Sequence, residues 1–233
     1  GTIVCDLELR EWIEKGLNVE NVEAWHNFYP RPETGLDEEF LKERNLYFRK
    51  IGITTMAFIP GDGQLRAPLH QGLPTLEKHR GISPVVAAAE LLNSCFTDKV
   101  LIGDHTVTDE TLESLQLLAE GIIPLRVQLL RHEDGDLLRK IQTNRMDPAR
   151  DVIRSVESRS YAQFGNAEIQ PKNQLERRIG AVTIDNHLYG RYAGEIQIAI
   201  NHLPQDDRVN VLGYIIKEDL PLLAHIKAGT KFQ

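Results

Sequence analysis

Three polar strings fall where apolar, strand-like runs stop: His26-Asn27-Phe28-Tyr29-Pro30-Arg31, Pro60-Gly61-Asp62-Gly63 and Gly103-Asp104-His105. Hydrogen-bonding and ionisable groups at the carboxyl ends of parallel strands are raw material for a binding site, because the side chains there face an open edge. His26 and Asn27 suit a sugar or an oxyanion, or equally the loop backbone that holds the rim together. Tyr29 offers a ring to stack on a ligand or to pack beneath its loop. Arg31 suits a carboxylate or phosphate, although a single loop arginine is more often solvated. Asp104 is the best visible carboxylate for acid–base work; its alternative is a rim hydrogen bond or a helix-start interaction. Glu77, His79 and Arg80 stand together as a ligand clamp or as an ion network that folds the loop, with the structural role favoured for Glu77.

Further along, Arg154 sits mid-strand, where a charge needs a partner, so it is either a core ion pair or an anion ligand. Asn186, Tyr189, Tyr192 and Glu195 flank a tight Gly190/Gly194 turn, read either as a hairpin with a satisfied carboxylate or as a ligand-facing loop. No phosphate-binding glycine loop, dinucleotide fingerprint or serine-nucleophile elbow occurs, and Gly61-Asp62-Gly63 alone is weak. The eight histidines never stand three or four residues apart, so no helical metal pair forms and no metal or other cofactor is expected.

The elements that must position these groups alternate. Ile3–Leu7, Val22–Phe28, Thr54–Ile59 and Lys99–Ile102 read as strands, and stretches opening near Glu8, Asp37, Pro84 and Asp109 read as helices. The core face expected for the second helix is Phe40, Arg44, Tyr47, Phe48 and Ile51. Gly16, Gly52 and Gly121 supply helix stops, and Thr108 a cap. The long Pro60–Ser83 connection, rich in Gly and Pro, is of a length usually tied to function or disorder. Four strand–helix units imply a parallel sheet: half of an eight-unit barrel, or a small open sheet. After residue 122 the pattern changes. Strands are expected at Ile122–Leu130, Val152–Val156, Ala181–Ile184, Glu195–Ile200 and Val209–Ile216, with a late helix over Glu218–His225. Turn signals lie at Gly165-Asn166, Asp185-Asn186, Tyr189-Gly190 and Asp206-Asp207, and Ser158–Gln174 reads as loop or hairpin. This half reads as a small β-barrel or sandwich.

Composition narrows the class. With 233 residues, 41% hydrophobic and 26% charged, the chain has enough apolar content for a core without disulfides. A net charge of −7 argues against a broad nucleic-acid surface, because phosphate neutralisation needs clustered Lys and Arg. No apolar run approaches a membrane span and no signal-peptide pattern opens the chain. Cys5 and Cys95 read as buried free thiols, consistent with a reducing compartment.

Three longer strings carry a family resemblance: Trp25-His26-Asn27-Phe28-Tyr29-Pro30-Arg31 with Thr34-Gly35-Leu36, Gly72 to Arg80, and Ile184 to Ile198. Together they resemble the bacterial 6-phospho-N-acetylmuramidases, long labelled outer surface proteins of unknown function, and specifically the C-terminal part of such a protein. The resemblance implies the second half of a TIM (β/α)8 barrel over residues 1–121, its first four βα units missing, followed by a cyclophilin-like β-domain over 122–233. It implies a metal-independent, cytoplasmic glycoside hydrolase that cleaves the β-1,4 bond of 6-phospho-N-acetylmuramyl-N-acetylglucosamine in peptidoglycan recycling. In this reading Asp104 is the catalytic carboxylate. His26, Asn27, Tyr29 and Arg31 line the sugar site with Glu77; His79, Arg80 and Arg154 meet the phosphate or lactyl carboxylate; Asn186, Tyr189 and Glu195 come from the β-domain. Alanine at Asn27 or Asp104 is then expected to cut turnover strongly.

The partner is a phosphosugar, with no nucleic acid or membrane. Glycosidases usually use two carboxylates, and the missing half is a source for one or both. A non-catalytic phosphosugar- or muropeptide-binding fragment is therefore the alternative reading. So is a half-barrel that assembles with another copy or with a missing N-terminal segment, because its open strand edge and apolar face need covering.

Overall fold

β1 (Glu23–Trp25), β2 (Thr54–Ile59) and β3 (Lys99–Ile102) pair in parallel in that order in the computed structural model, which describes residues 1–160, 165 and 168–233. The register sets Trp25 beside Met56 beside Lys99, and Ile59 beside Ile102. All three strands therefore leave the sheet at one edge. They belong to the first of two compact units, Gly1–Gln116 and Leu117–Gln233.

α2 (Glu38–Lys50) and α3 (Pro84–Ser94) pack against this sheet. Asp37 caps α2 by accepting from the amides of Glu39 and Phe40, Pro84 occupies the first turn of α3, and Thr108 accepts from Thr111 at the start of α4 (Asp109–Ala119). The buried residues of α2 are Leu41, Asn45 and Phe48; of the expected face, Phe48 is core with Tyr47 and Ile51 packed against its cluster, whereas Phe40 is 42% exposed. The expected stripe ran past Asn45 because that residue is polar; it is buried as the centre of a hydrogen-bond network. Gly52 and Gly121 end their helices with φ of 80° and 77°, a region glycine enters without a Cβ clash.

The strand expected at Ile3–Leu7 does not form. α1 (Asp6–Glu14) begins there instead, with Glu8 reaching back to accept from the Cys5 amide. Leu9 is buried, whereas Ile3 and Leu7 are 86% and 68% exposed, so the apolar positions follow helical spacing and not alternation. The order is thus a helix followed by three βα units. Cys5, expected to be buried, is exposed; Cys95 is buried, which pushes its thiol up to about 12.

The second unit is mainly antiparallel. β5 (Val127–Leu129), β7 (Val152–Arg154), β8 (Ala181–Asp185), β9 (Ile196–Ala199) and β10 (Val209–Ile215) form a sheet ordered β5-β10-β8-β9-β7. A β-bulge between Val211 and Gly213 shifts the β8–β10 register, and a Cβ at Gly213 would meet the Gln128 carbonyl at 2.6 Å. β4 (Ile122–Ile123), β6 (Gln142–Thr143) and β11 (Lys231–Phe232) make a second small sheet. The single strand expected over Ile122–Leu130 is split into β4 and β5, with Pro124 between them. The expected late helix is a 3₁₀ segment, Lys217–His225, with Pro221 inside it. Asn166 of the turn expected at Gly165-Asn166, and residues 161–164 and 167 of the Ser158–Gln174 stretch, lie outside the described residues. No helix is long and apolar enough to cross a membrane among the described residues.

Candidate functional site

The carboxyl edge of the parallel sheet gathers the polar strings of the first unit, and its geometry is organised by Asp104. This residue is 7% exposed. Its Oδ2 accepts from the amides of Gly61 (2.8 Å) and Leu73 (3.1 Å), and its Oδ1 accepts from the Arg66 amide (3.0 Å). One carboxylate thus gathers three backbone donors of the Pro60–Ser83 connection onto the end of β3. Close approach requires glycine here: a Cβ at Gly103 would lie 2.2 Å from the Leu73 carbonyl, and one at Gly61 2.6 Å from that of Thr106. Asp104 thus clamps loop backbone, the rim hydrogen-bonding role that was its alternative reading.

Two neighbouring carboxylates are spent in the same way. Asp62 accepts from the Thr108 amide (2.9 Å) and from the Thr111 hydroxyl (2.5 Å), tying the loop after β2 to the start of α4. Glu77 accepts from the amides of Glu33 and Gly35, both at 2.8 Å, and from Arg80. The Arg80 hydrogen bonds hold the Glu77 carboxyl at about 2, against the opposing effect of burial and with help from the two amides. Arg80 also donates to the carbonyls of Gly72 and Tyr29 at 2.9 Å. Its donors are engaged within the loop, so Glu77 and Arg80 form the structural ion network, one of the two readings of this group.

His26 and His79 lie in the core. His26 is 1% exposed; its Nε2 lies 2.7 Å from Asn45 Oδ1 and its Nδ1 3.3 Å from the Thr2 hydroxyl. Asn45 donates its amide protons to the Cys95 carbonyl and Thr97 hydroxyl, so its oxygen accepts from His26. Burial lowers the His26 pKa to about 4. His79 is fully buried, with Nε2 2.8 Å from Glu90 and no partner for Nδ1 among the described residues. Neither imidazole reaches the rim, which corrects their placement as sugar and anion ligands.

Asn27 and Arg31 are exposed and Tyr29 is half-buried, and no hydrogen bond from these three side chains is present among the described residues. Their backbones are fixed: the Asn27 carbonyl accepts from Thr75, and the Tyr29 amide donates to the Pro74 carbonyl. A residue the sequence reading passed over joins them. The guanidinium of Arg66 lies over the Phe28 ring, 5.3 Å from its centroid, and donates to the Gly103 carbonyl at 3.4 Å. Phe28 meets Phe58 edge-on at 5.2 Å, and Phe58 meets Trp25, which is 49% exposed. The rim thus offers an aromatic step, a carboxamide and arginine side chains.

In the second unit Arg154 holds Glu195 at two points, Nε to Oε1 at 2.6 Å and Nη2 to Oε2 at 2.9 Å. Burial opposes the Glu195 charge, but Arg154 and Gln197 outweigh it and keep the carboxyl below its usual range. The core ion pair is thus the reading of Arg154 that the geometry favours over a free anion ligand. Asn186 is fully buried, accepting from the Leu188 amide and donating to the Asp207 carbonyl and Asn210 Oδ1. Tyr189 packs under Arg208, 4.5 Å from the ring centroid, in a 3₁₀ segment (His187–Tyr192) that replaces the simple hairpin. Asp185, noticed in sequence only as part of a turn, is 4% exposed, with no hydrogen bond to its carboxyl among the described residues. Burial first, then the charges of Glu195 and Asp206, push its pKa up to about 7. A cavity of about 420 Å³, floored by Ile184 and Leu212 and edged by Asp134 and Lys172, opens elsewhere in this unit. No group of three or more metal-ligating side chains comes together among the described residues.

Family models described as 6-phospho-N-acetylmuramidase, N-terminal, and 6-phospho-N-acetylmuramidase, C-terminal, match residues 5–117 and 123–233. The chain belongs to the 6-phospho-N-acetylmuramidase family. Both domain models are matched, so the expectation of a C-terminal part only gives way to a chain that spans both domains. Two solved structures are similar. One, described as a conserved protein from a locus in Enterococcus faecalis with an unknown function, is 38% identical with a TM-score of 0.82. The other, an uncharacterized B. cereus protein, is 29% identical with a TM-score of 0.81. All of this chain is covered in both, but it spans 64% of the first and 67% of the second. No curated protein matches the chain. A 6-phospho-N-acetylmuramidase acts on a glycosidic bond, and within the first unit Asp62, Glu77 and Asp104 are carboxylates committed to backbone and arginine.

Proposed function

We propose that this chain serves a cytoplasmic glycoside hydrolase that cleaves the β-1,4 bond of 6-phospho-N-acetylmuramyl-N-acetylglucosamine in peptidoglycan recycling. The reading rests on one observation: both 6-phospho-N-acetylmuramidase domain models match, together running from residue 5 to residue 233. The glycosidic carbon–oxygen bond breaks, water supplies hydroxyl to the anomeric carbon, and its proton goes to the leaving oxygen of N-acetylglucosamine. Asn27, Tyr29 and Arg31 line the sugar site at the carboxyl edge of the sheet. In this reading the parallel unit is part of a TIM barrel and the antiparallel unit a cyclophilin-like domain. The half-exposed Trp25 face of the sheet is then a surface for further structure to cover.

A second reading, a phosphosugar- or muropeptide-binding fragment without turnover, is favoured by the engagement of Asp62, Glu77 and Asp104 in holding loops. Incubation with the phosphodisaccharide separates the two. Equal release of N-acetylglucosamine and phosphorylated N-acetylmuramic acid is the result expected of the hydrolase. Saturable binding with the disaccharide recovered intact replaces it with the binding reading.

A further inference from the structure

We propose that Arg66 is the phosphate-binding residue of this rim, gripping the 6-phosphate of a muramyl sugar; the assignment rests on the phosphosugar reading above. Most arginines and histidines in line for an anion are already engaged, and Arg31, exposed on the same rim, has no side-chain hydrogen bond among the described residues to place it. Arg80 is bound to Glu77 and to loop carbonyls, and Arg154 to Glu195. Arg44 is bound to Asp6 and to the Val4 carbonyl, and His79 is fully buried against Glu90. Arg66 differs from all of them. Its side chain has no carboxylate partner among the described residues, and its one hydrogen bond, to the Gly103 carbonyl, is long at 3.4 Å. Most of its five N–H donors are unspent.

Its position is central. Phe28 follows β1 and Gly103 follows β3, the two strands that flank β2. A guanidinium that touches both therefore spans the carboxyl end of the middle strand. The Phe28 ring, 5.3 Å away, supports the cation without using its N–H groups, which stay available for two-point recognition of phosphate oxygens. The backbone beneath is held: the Arg66 amide donates to Asp104, and the Arg66 carbonyl accepts from the His70 amide at 3.1 Å. The side chain thus starts from a fixed anchor, which lowers the ordering cost of binding. The buried charge of Asp104 lies close by, but three amide donors meet it.

The test is calorimetric titration of the chain with three probes: N-acetylmuramic acid 6-phosphate, N-acetylglucosamine 6-phosphate and unphosphorylated N-acetylmuramic acid. Arg66→Gln is expected to weaken both phosphorylated sugars about 10- to 100-fold, the usual weight of a charge-assisted hydrogen-bond pair, and to leave the unphosphorylated one unchanged. Arg66→Lys is expected to restore part of the loss, keeping charge without the fork. Arg49→Gln, on an exposed turn of α2, is expected to bind as wild type. If Arg66→Gln binds both phosphosugars like wild type, the assignment is overturned and the phosphosugar reading stands. Weakening of the two muramic acids but not of N-acetylglucosamine 6-phosphate would move Arg66 to the lactyl carboxylate and overturn the phosphate role. Wild-type chain that binds neither phosphosugar overturns the functional reading and the assignment with it.

Discussion

Glu77 and Arg80 meet through two side-by-side hydrogen bonds, Nε to Oε1 at 2.6 Å and Nη2 to Oε2 at 2.8 Å. The same carboxylate takes the amides of Glu33 and Gly35, and the same guanidinium takes the Gly72 and Tyr29 carbonyls. Two side chains three residues apart therefore hold together the loop after β1 and the loop after β2.

Replacing Glu77 with Gln should release both loops. Arg80, whose side chain is 11% exposed, would keep its charge without a counter-charge, at a cost of about 1.5–3 kcal/mol. The Glu77 carboxyl sits at about 2 in the folded chain against an ordinary 4.5. Its stabilisation is thus complete above pH 4.5 and fades as pH falls toward 2. Urea melts of wild type and Glu77→Gln at pH 7 and pH 3 check this: the gap between them should narrow at pH 3.

His26 should make the first unit sensitive to mild acid. Its folded pKa of about 4 lies below the usual 6.5, so between those values the unfolded chain binds the extra proton. Stability is full above pH 6.5 and falls as pH drops to 4, by about 3 kcal/mol in all. Asn45→Leu should lower stability at every pH by stranding His26 Nε2, the Cys95 carbonyl and the Thr97 hydroxyl. Imidazole proton resonances, followed by NMR, would report the His26 titration; an ordinary midpoint near 6.5 would contradict its burial.

Arg154→Ala should destabilise the second unit by about 3–5 kcal/mol, because Glu195, 4% exposed, would remain as a buried carboxylate without its cation. Arg154→Ala combined with Glu195→Leu should recover much of that loss. Thermal melts of the single and double variants measure the difference. Equal melting temperatures for the two would mean that Glu195 finds another partner.

Asp185 should act in the opposite pH direction to His26. Its folded pKa, about 7, lies above the usual 3.8, so between them the folded chain holds the extra proton. The second unit is then most stable below pH 3.8 as far as this group is concerned, and loses stability as pH rises to 7. Asp185→Asn should raise the melting temperature at pH 8 by several degrees and leave it nearly unchanged at pH 4, since the protonated acid and the amide are both neutral. Hydrogen exchange of the β8 amides at both pH values would localise the effect; equal protection in wild type and variant at pH 8 would refute it.

The sequence made the scaffold of the first unit legible where spacing and punctuation agreed. Thr54–Ile59 and Lys99–Ile102 form strands with the expected bounds, and Asp37, Gly52, Pro84 and Thr108 mark helix ends as their chemistry requires. Ile3–Leu7 misled because an apolar run of that length fits either state, and only the burial of Leu9 with the exposure of Leu7 decides for helix. The short strands β4, β6 and β11 left no periodic signal at two residues each. At the rim, residue type located the right strings but not the direction of each side chain. Asp104 reads as a catalytic carboxylate or a rim bond, His26 as a sugar ligand and Glu77 as clamp or structural ion, and in the structure all three side chains hold neighbouring groups in place. Arg66 carried no motif, and its interest comes from Phe28 and Gly103, far from it in sequence.

The three amides caught by the Asp104 carboxylate belong to positions 61, 66 and 73, so on the loop side the bonds use backbone and no side chain. Much of the path of this stretch is therefore set from outside it, by one acid just past β3, with Asp62 tying its start to α4, while the side chains of Gln64, Leu69 and Gln71 make none of these bonds. That separates framework from payload. Randomising residues 64, 66, 69 and 71 in a library should alter which ligand is preferred without erasing the fold, whereas one change at residue 104 should erase the preference of every member at once.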